Sequence, residues 1–232
     1  MESFTPKDSD SHPPLIHPPY KSSITRSPTE EPIIVPQTIT ELTGPKFNPS
    51  MLPEDSYDLT NNSRNSGEPI GERLIVAGRV LDENGVPISG VMVEIWQANS
   101  AGKYTDREDQ HHAAVDPNFL GAGRTITDED GWYRFITIRP GAYPWGNHAN
   151  AWRPHHIHFS ILGKNIMTRL VTQMYFEGDP LLPFDPIYNA APDDARTRLI
   201  AAFSLDLTEQ GFALGYRWDI VIRGPKATPF ED

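Results

Sequence analysis

The chain has 232 residues, of which 38% are hydrophobic and 22% charged, a length and make-up that suit one sizeable globular core or two small ones. Its 31 acidic residues outnumber 20 basic ones, for a formal charge of −11, and no Lys/Arg run offers the concentrated positive surface that nucleic-acid binding needs. Cysteine is absent, which excludes disulfide frameworks, thiolate zinc sites, iron–sulfur clusters and cysteine nucleophiles, so any bound metal must be held by nitrogen and oxygen.

The opening Met1-Glu2-Ser3-Phe4-Thr5-Pro6 has no basic start followed by an apolar run. No stretch approaches the ~18 apolar residues of a membrane helix. The expectation is a soluble, cytoplasmic protein with neither a membrane nor a nucleic-acid partner. Residues 1–70 hold 12 of the 23 prolines. Proline fixes φ and lacks an N–H, so this segment is expected to be neither regular helix nor central strand. Yet it carries Tyr20, Ile33-Ile34-Val35, Leu42, Phe47, Met51 and Leu52, more apolar anchors than a tail needs. It reads as an extended N-terminal arm packed on this chain or on a partner, part of one unit with a main domain at 71–232.

From Glu72 the pattern turns to strands and turns. Arg73 to Val80 is a strand, closed by the turn Asp82-Glu83-Asn84-Gly85. Val91 to Trp96 alternates, with Val91, Val93 and Ile95 on one face. Thr125 to Thr127 leads into a second turn, Asp128-Glu129-Asp130-Gly131, and then the β-rich run Trp132 to Ile138. His155 to Leu162 and Thr168 to Phe176 are two further strands joined at Gly163-Lys164-Asn165. A helix is expected from Asp193 to Leu205, with Ala195, Leu199, Ile200 and Phe203 on one face, and a last strand from Tyr216 to Ile222. The fold class is therefore mainly β: a β-sandwich with long loops, a short helix and the N-terminal arm. Trp96, Trp132, Tyr133 and Phe135 read as sandwich core.

The strongest chemical signal is Arg153-Pro154-His155-His156-Ile157-His158-Phe159. In a strand, residues two apart share a face, so His156 and His158 project together while His155 and Ile157 point away. That spacing fits a two-nitrogen metal clamp and fits an incidental pair equally well, and context has to decide. The context offers oxygen donors: Tyr143 in the turn-rich loop before the histidine strand, and Tyr104 in the loop after Trp96. A phenol titrates near pH ~10, so a phenolate at neutral pH needs a strong nearby positive charge, which a trivalent iron supplies. Hard anionic oxygens in turn suit ferric iron. His12, His17, His111, His112 and His148 read as solvated loop or arm residues.

Longer motifs surround these residues. They include Gly78-Arg79-Val80, Gly85-Val86-Pro87, Val93-Glu94-Ile95-Trp96-Gln97-Ala98-Asn99, Gly102-Lys103-Tyr104 and Asp116-Pro117-Asn118-Phe119. Further along come Pro140-Gly141-Ala142-Tyr143-Pro144-Trp145, Trp152-Arg153-Pro154 and Gln173-Met174-Tyr175-Phe176-Glu177-Gly178-Asp179-Pro180. With Tyr20-Lys21-Ser22-Ser23 and Arg26-Ser27-Pro28 in the arm, the chain resembles the intradiol ring-cleavage dioxygenase family over nearly its whole length. Within that family it is most similar to the members that combine two homologous kinds of subunit.

The resemblance implies an Fe(III), non-haem centre held by Tyr104, Tyr143, His156 and His158, with hydroxide as a fifth ligand and Tyr143 as the ligand that leaves when substrate binds. It implies that Arg153 stabilises negative charge on the substrate ring and that Gln173 is its hydrogen-bonding companion. Trp145 and Ile187 fall where the family lines its substrate pocket, and Tyr20 where the arm reaches toward a substrate carboxylate. The implied partners are O2, a small aromatic diol such as protocatechuate, and a homologous alpha subunit in a hetero-oligomer. The implied product is 3-carboxy-cis,cis-muconate, a step of aromatic catabolism by the β-ketoadipate route. The chain departs from the family at His155, where a small residue is common, and at Gly146, where a basic one is. His155 is expected to face away from the metal. The alternatives are a catechol or hydroxyquinol 1,2-dioxygenase, a non-catalytic sandwich subunit, and a zinc hydrolase using His156, His158 and His148.

Overall fold

A computed structural model describes residues 11–30, 33, 48, 50, 52–53, 55–63, 65, 67–163, 166 and 169–231. Its elements in chain order are α1 (Lys21–Arg26), β1 (Arg73–Leu81), β2 (Met92–Trp96), β3 (Ala122–Ile126), β4 (Trp132–Ile138), β5 (Tyr143–Pro144), β6 (Trp152–Arg153), β7 (His156–Leu162), β8 (Leu170–Phe176), α2 (Pro186–Ala190), α3 (Asp193–Arg196), β9 (Ile200–Phe203), β10 (Leu214–Arg217) and β11 (Ile220–Val221). Among the described residues no helix is long and apolar enough to cross a membrane.

The strands run in the order β11-β1-β10-β9-β8-β7-β2-β3, with β4 added on β1. Strand β9 is the seam between two halves: Ile200 and Ala201 pair with β8, while Ala202 and Phe203 pair with β10. The sheet folds over at this seam and packs its two halves face to face. Leu74 and Val76 of β1 and Tyr133 and Phe135 of β4 share one buried cluster with Val93, Ile95, Ile157, Phe159, Ile161, Met174 and Phe176 from the other half. Phe159 sits at its centre, 5.7 Å from Tyr133, 6.3 Å from Phe135 and 4.8 Å from Trp218, ring centre to ring centre. Burial of large apolar rings supplies most of the drive for such a sandwich, and edge-to-face geometry adds to it.

Both expected turns form by one device. Asp82 Oδ1 accepts from the amides of Asn84 and Val86, and Asp128 Oδ1 accepts from those of Asp130 and Trp132. Strand β3 begins at Ala122, three residues earlier than the β-rich residues suggest, because Gly123 and Arg124 pair with Ile95 and Glu94.

The long helix expected from Asp193 to Leu205 does not form. Helix α3 stops at Arg196, Thr197–Leu199 makes a 3-10 turn, and Ile200–Phe203 is strand β9. The gap between β8 and β10 has to be filled by a strand, and the ladder hydrogen bonds gained there outweigh a helical apolar pattern. Phe203, expected on a buried helix face, is 51% exposed. The last strand is likewise interrupted. At Trp218-Asp219 the ladder gives way to Asp219 Oδ1, which accepts from the Arg79 amide, while the Trp218 ring turns inward onto Phe159.

The arm is not wholly irregular either. Helix α1 occupies the proline-free window between Pro19 and Pro28, correcting the expectation of no helix there. The described part of the arm packs on this chain itself. Ser11 Oγ donates to Pro225 O at 2.7 Å, and Asn147 joins it twice, accepting from Lys21 N and donating to Pro19 O. Leu59 is fully buried in the main cluster. Ile34, Val35, Leu42, Phe47 and Met51, and likewise Lys164, Asn165 and Thr168, lie outside the described residues. His12 is buried, with its ring edge-on to Phe230 at 4.7 Å, rather than solvated as expected. His17 and His111 are half-buried, and His112 and His148 are exposed.

Phe135→Ala is expected to cost about 3–5 kcal/mol of unfolding free energy in urea denaturation, as for a buried aromatic cut to alanine. A change under about 1 kcal/mol would show that the two halves do not share a core at that point.

Candidate metal centre

Strand β7 carries two chemistries on two faces. Ile157, Phe159 and Ile161 enter the core, so His156, His158 and Ser160 stand on the opposite face of the sheet. Cross-strand pairing sets their neighbours: Trp96 and Gln173 flank His158, and Tyr175 lies beside His156. The Trp96 ring stacks on His158 at 4.8 Å with an interplanar angle of 4°. Trp96 is therefore a wall of this site and not sandwich core, because its position in β2 has the opposite parity to Val93 and Ile95.

The two tyrosines arrive on loops held against each other. Buried Asn99 closes the first, its Oδ1 accepting from the amides of Ala101 and Lys103. Gly141 N donates to Asn99 O at 2.8 Å. At the crossing, a Cβ on Gly102, whose φ is +75°, would lie 2.2 Å from Ala142 O, and one on Gly141 would lie 2.4 Å from Gly102 N. Only glycine permits this approach. Strand β5 then pairs Tyr143 with Arg153 of β6, next to the histidine strand.

The result is a convergence of aromatic donors. Tyr143 Oη is 3.2 Å from His156 Nε2, and the Tyr104 and Tyr143 rings meet edge-on at 5.4 Å. The imidazoles of His156 and His158 are 4.9 Å apart. His156 Nδ1 donates to Pro154 O at 2.6 Å, and a carbonyl only accepts, so Nε2 keeps its lone pair. His158 Nδ1 lies 3.0 Å from Glu231 Oε2. Burial, with the Arg153 charge and the neighbouring His158, holds the His156 pKa well below the usual imidazole range. Burial pushes the Tyr104 hydroxyl well above the ordinary phenol range, helped by Tyr143, and raises Tyr143 too.

Two buried phenols beside two imidazoles form a donor set whose phenols a multivalent cation would convert to phenolates. The Tyr104 hydroxyl is buried and has no hydrogen-bond partner. That orphaned oxygen is what a metal ligand looks like without its metal, and phenolate–imidazole donors fit a hard trivalent ion. Among the described residues no group of three His, Cys, Asp or Glu forms a metal cage. His148, the third ligand of the zinc alternative, is exposed and sits 3.2 Å from the side chain of Asn147.

Arg153 is buried beside this set. Its Nε lies 3.4 Å from the fully buried Asp185 carboxylate, Nη2 donates to Gln173 Oε1 and to Tyr175 Oη, and the guanidinium lies over the Trp145 ring at 5.2 Å. Burial opposes its charge, but Asp185, Tyr175, Tyr143 and Glu231 together outweigh this and raise its pKa. Gln173 Nε2 and Trp145 Nε1 are buried donors with no partner. Tyr20 packs on Trp145 at 5.7 Å, and Tyr20 and Ile187 line one cleft with Phe230.

His155 turns away from the tyrosines, as alternation predicts, and its Nδ1 lies 2.6 Å from Asp179 Oδ2. Asp185, Tyr175 and Glu231 went unnoticed in the sequence. Asp185 precedes Pro186 and caps α2 through Ile187 N, a local signal that could have found it. Tyr175 shares the alternation of Gln173. Nothing local marks Glu231.

Residues 42–224 match the family described as Dioxygenase, and residues 5–38 match one described as Protocatechuate 3,4-dioxygenase beta subunit N terminal. The chain belongs to the intradiol ring-cleavage dioxygenases and is an enzyme chain of that family. It is 56% identical over 228 residues to the protocatechuate 3,4-dioxygenase beta chain of Burkholderia cepacia, covering 98% of this chain and 97% of that one. The alpha chain from the same organism is 28% identical over 84% of this chain and 97% of its own length. The structure of 3-chlorocatechol 1,2-dioxygenase from Rhodococcus opacus 1CP superposes with a TM-score of 0.56 at 27% identity, covering 77% of this chain and 70% of that one.

Gly102→Ala is expected to cost roughly 1–3 kcal/mol in chemical denaturation, from backbone strain at its positive φ. An unchanged midpoint would mean the tyrosine loops do not touch there. Asp179 gives a pH signature. Burial pushes its pKa up, but the His155 hydrogen bond and the Leu181 and His155 amides outweigh this and lower it. A depressed folded-state pKa means stability that is present above the unfolded value and lost as pH falls through the folded one. The stability advantage of the parent over Asp179→Asn is therefore expected to shrink below about pH 4. An advantage that grows in acid would contradict this.

Proposed function

We propose that this chain is the iron-bearing beta subunit of a protocatechuate 3,4-dioxygenase, with Tyr104, Tyr143, His156 and His158 as ligands of a non-haem ferric ion. The observation that carries the reading is the four-donor convergence, with the Tyr104 oxygen buried and unpartnered. The substrate assignment is supported by similarity along nearly the full chain to the Burkholderia cepacia beta chain, arm included. Residues 1–70 form the arm and 71–232 the catalytic domain of a cytoplasmic hetero-oligomer with a homologous alpha subunit.

Ferric iron, when bound, supplies a Lewis-acid seat for both oxygens of the diol and an electron path toward O2. The protein's residues do the rest. Tyr143 Oη, on the short β5–β6 ribbon, would be the side-chain base for one of the diol's two protons, a solvent hydroxide taking the other. Arg153, fixed by Asp185, Gln173 and Tyr175, offsets negative charge on the ring from a preorganised position. Gln173 Nε2 is a further buried donor in this region, close to the Glu231 carboxylate. Trp145 and Ile187 wall the ring, and the Tyr20 hydroxyl receives the carboxylate. Both atoms of O2 enter the product, and the bond between the two hydroxyl-bearing carbons breaks to give 3-carboxy-cis,cis-muconate.

Co-expression with the homologous alpha subunit, followed by visible spectroscopy and oxygen uptake, tests this. A coloured ferric-tyrosinate protein that turns over protocatechuate faster than catechol is expected. Colourless holoprotein, or full turnover after Tyr143→Phe is combined with His158→Ala, would refute the metal assignment. Faster turnover of catechol would refute the substrate. Arg153→Ala is expected to lower kcat by about 10²–10³-fold while iron content stays at the parent level, as for loss of a preorganised electrostatic partner.

A further inference from the structure

The geometry points to Glu231 as a positioning residue for His158: its carboxylate accepts a hydrogen bond from Nδ1–H, so that Nε2 presents its lone pair to the metal. The inference rests on the ligand set proposed above. His158 Nδ1 and Glu231 Oε2 are 3.0 Å apart, and both side chains are largely enclosed. One face of the same imidazole is held by the stacked indole of Trp96. Stacking thus limits the ring's tilt, while the carboxylate selects its tautomer. The second ligand histidine is oriented differently, since His156 Nδ1–H donates its hydrogen bond to the neutral carbonyl of Pro154. A carboxylate acceptor makes an imidazole a stronger donor than a carbonyl does.

The backbone that delivers Glu231 is stitched down on several sides. Thr228 N donates to Val221 O at 2.8 Å, and Glu231 N donates to Val171 O of β8 at 2.7 Å. Between them Phe230 packs on the main core and against the ring of His12 in the arm. The carboxylate is therefore fixed by elements from both ends of the chain, and not by a flexible reach from the surface.

The test uses the complex with its alpha subunit, comparing the parent with Glu231→Ala and Glu231→Gln. Iron release to excess EDTA is followed by metal content and loss of visible colour, and the resting ferric protein is examined by electron paramagnetic resonance. Glu231→Ala is expected to hold iron about 10–100-fold less tightly and to show more than one ferric species. Glu231→Gln, whose amide oxygen still accepts from Nδ1, is expected to recover a single species and most of the retention. Glu231→Ala that matches the parent in release rate and resonance spectrum overturns the inference. So does a Gln variant that fails as badly as Ala, since that would indicate a packing role. A parent complex that carries no ferric iron would instead sink the ligand assignment on which the inference rests.

Discussion

The site depends on the parity of one strand. Along β7, Ile157, Phe159 and Ile161 are committed to the core shared by the two halves of the sheet, and a shift of one residue would turn them all outward. Their burial locks His156 and His158 onto the opposite face with a fixed spacing. The same parity in β2 and β8 puts Trp96 beside His158 on one side and Gln173 on the other. The hydrophobic core thus acts as the jig for the polar site on its back.

Polar groups on that back face are placed at a cost, and the protein meets it by pairing. Arg153 is a buried cation whose desolvation would be prohibitive alone, and Asp185 is the buried anion that answers it. Gln173 and Tyr175 accept from Arg153 Nη2. By contrast, the Tyr104 hydroxyl and the Gln173 and Trp145 N–H groups are left without partners in the same region. Three such groups gathered beside the tyrosines and histidines are the mark of a binding site.

The elements carried by strict alternation were legible from residues alone. Strands β2 and β7 follow it closely and β1 and β4 in part, and the two Asp-led turns are marked by their own residues. Elements whose state depends on distant pairing were not. Ile200 to Phe203 has a helical apolar pattern, yet it becomes the strand that joins both halves because β8 and β10 each need a neighbour there. Trp96 reads as a core residue by its size, yet its parity in β2 sets it against an imidazole instead. His12 reads as a solvated arm residue, and Phe230, more than two hundred positions away, buries it.

Chemistry that is local in the chain could be read directly. A His-x-His pair on a strand shares a face whatever surrounds it, and the turn-rich loops around Tyr104 and Tyr143 announce where those phenols are displayed. Family resemblance joined these into one ligand set. What only the tertiary structure decided is which groups support them: Asp185 under Arg153, Trp96 against His158, and Glu231 on its Nδ1. Those contacts span from 32 to 73 residues. Hydrogen bonds and ring stacking act over a few ångströms, so such partners are chosen by the folding of the sheet and leave no trace in the spacing of the sequence.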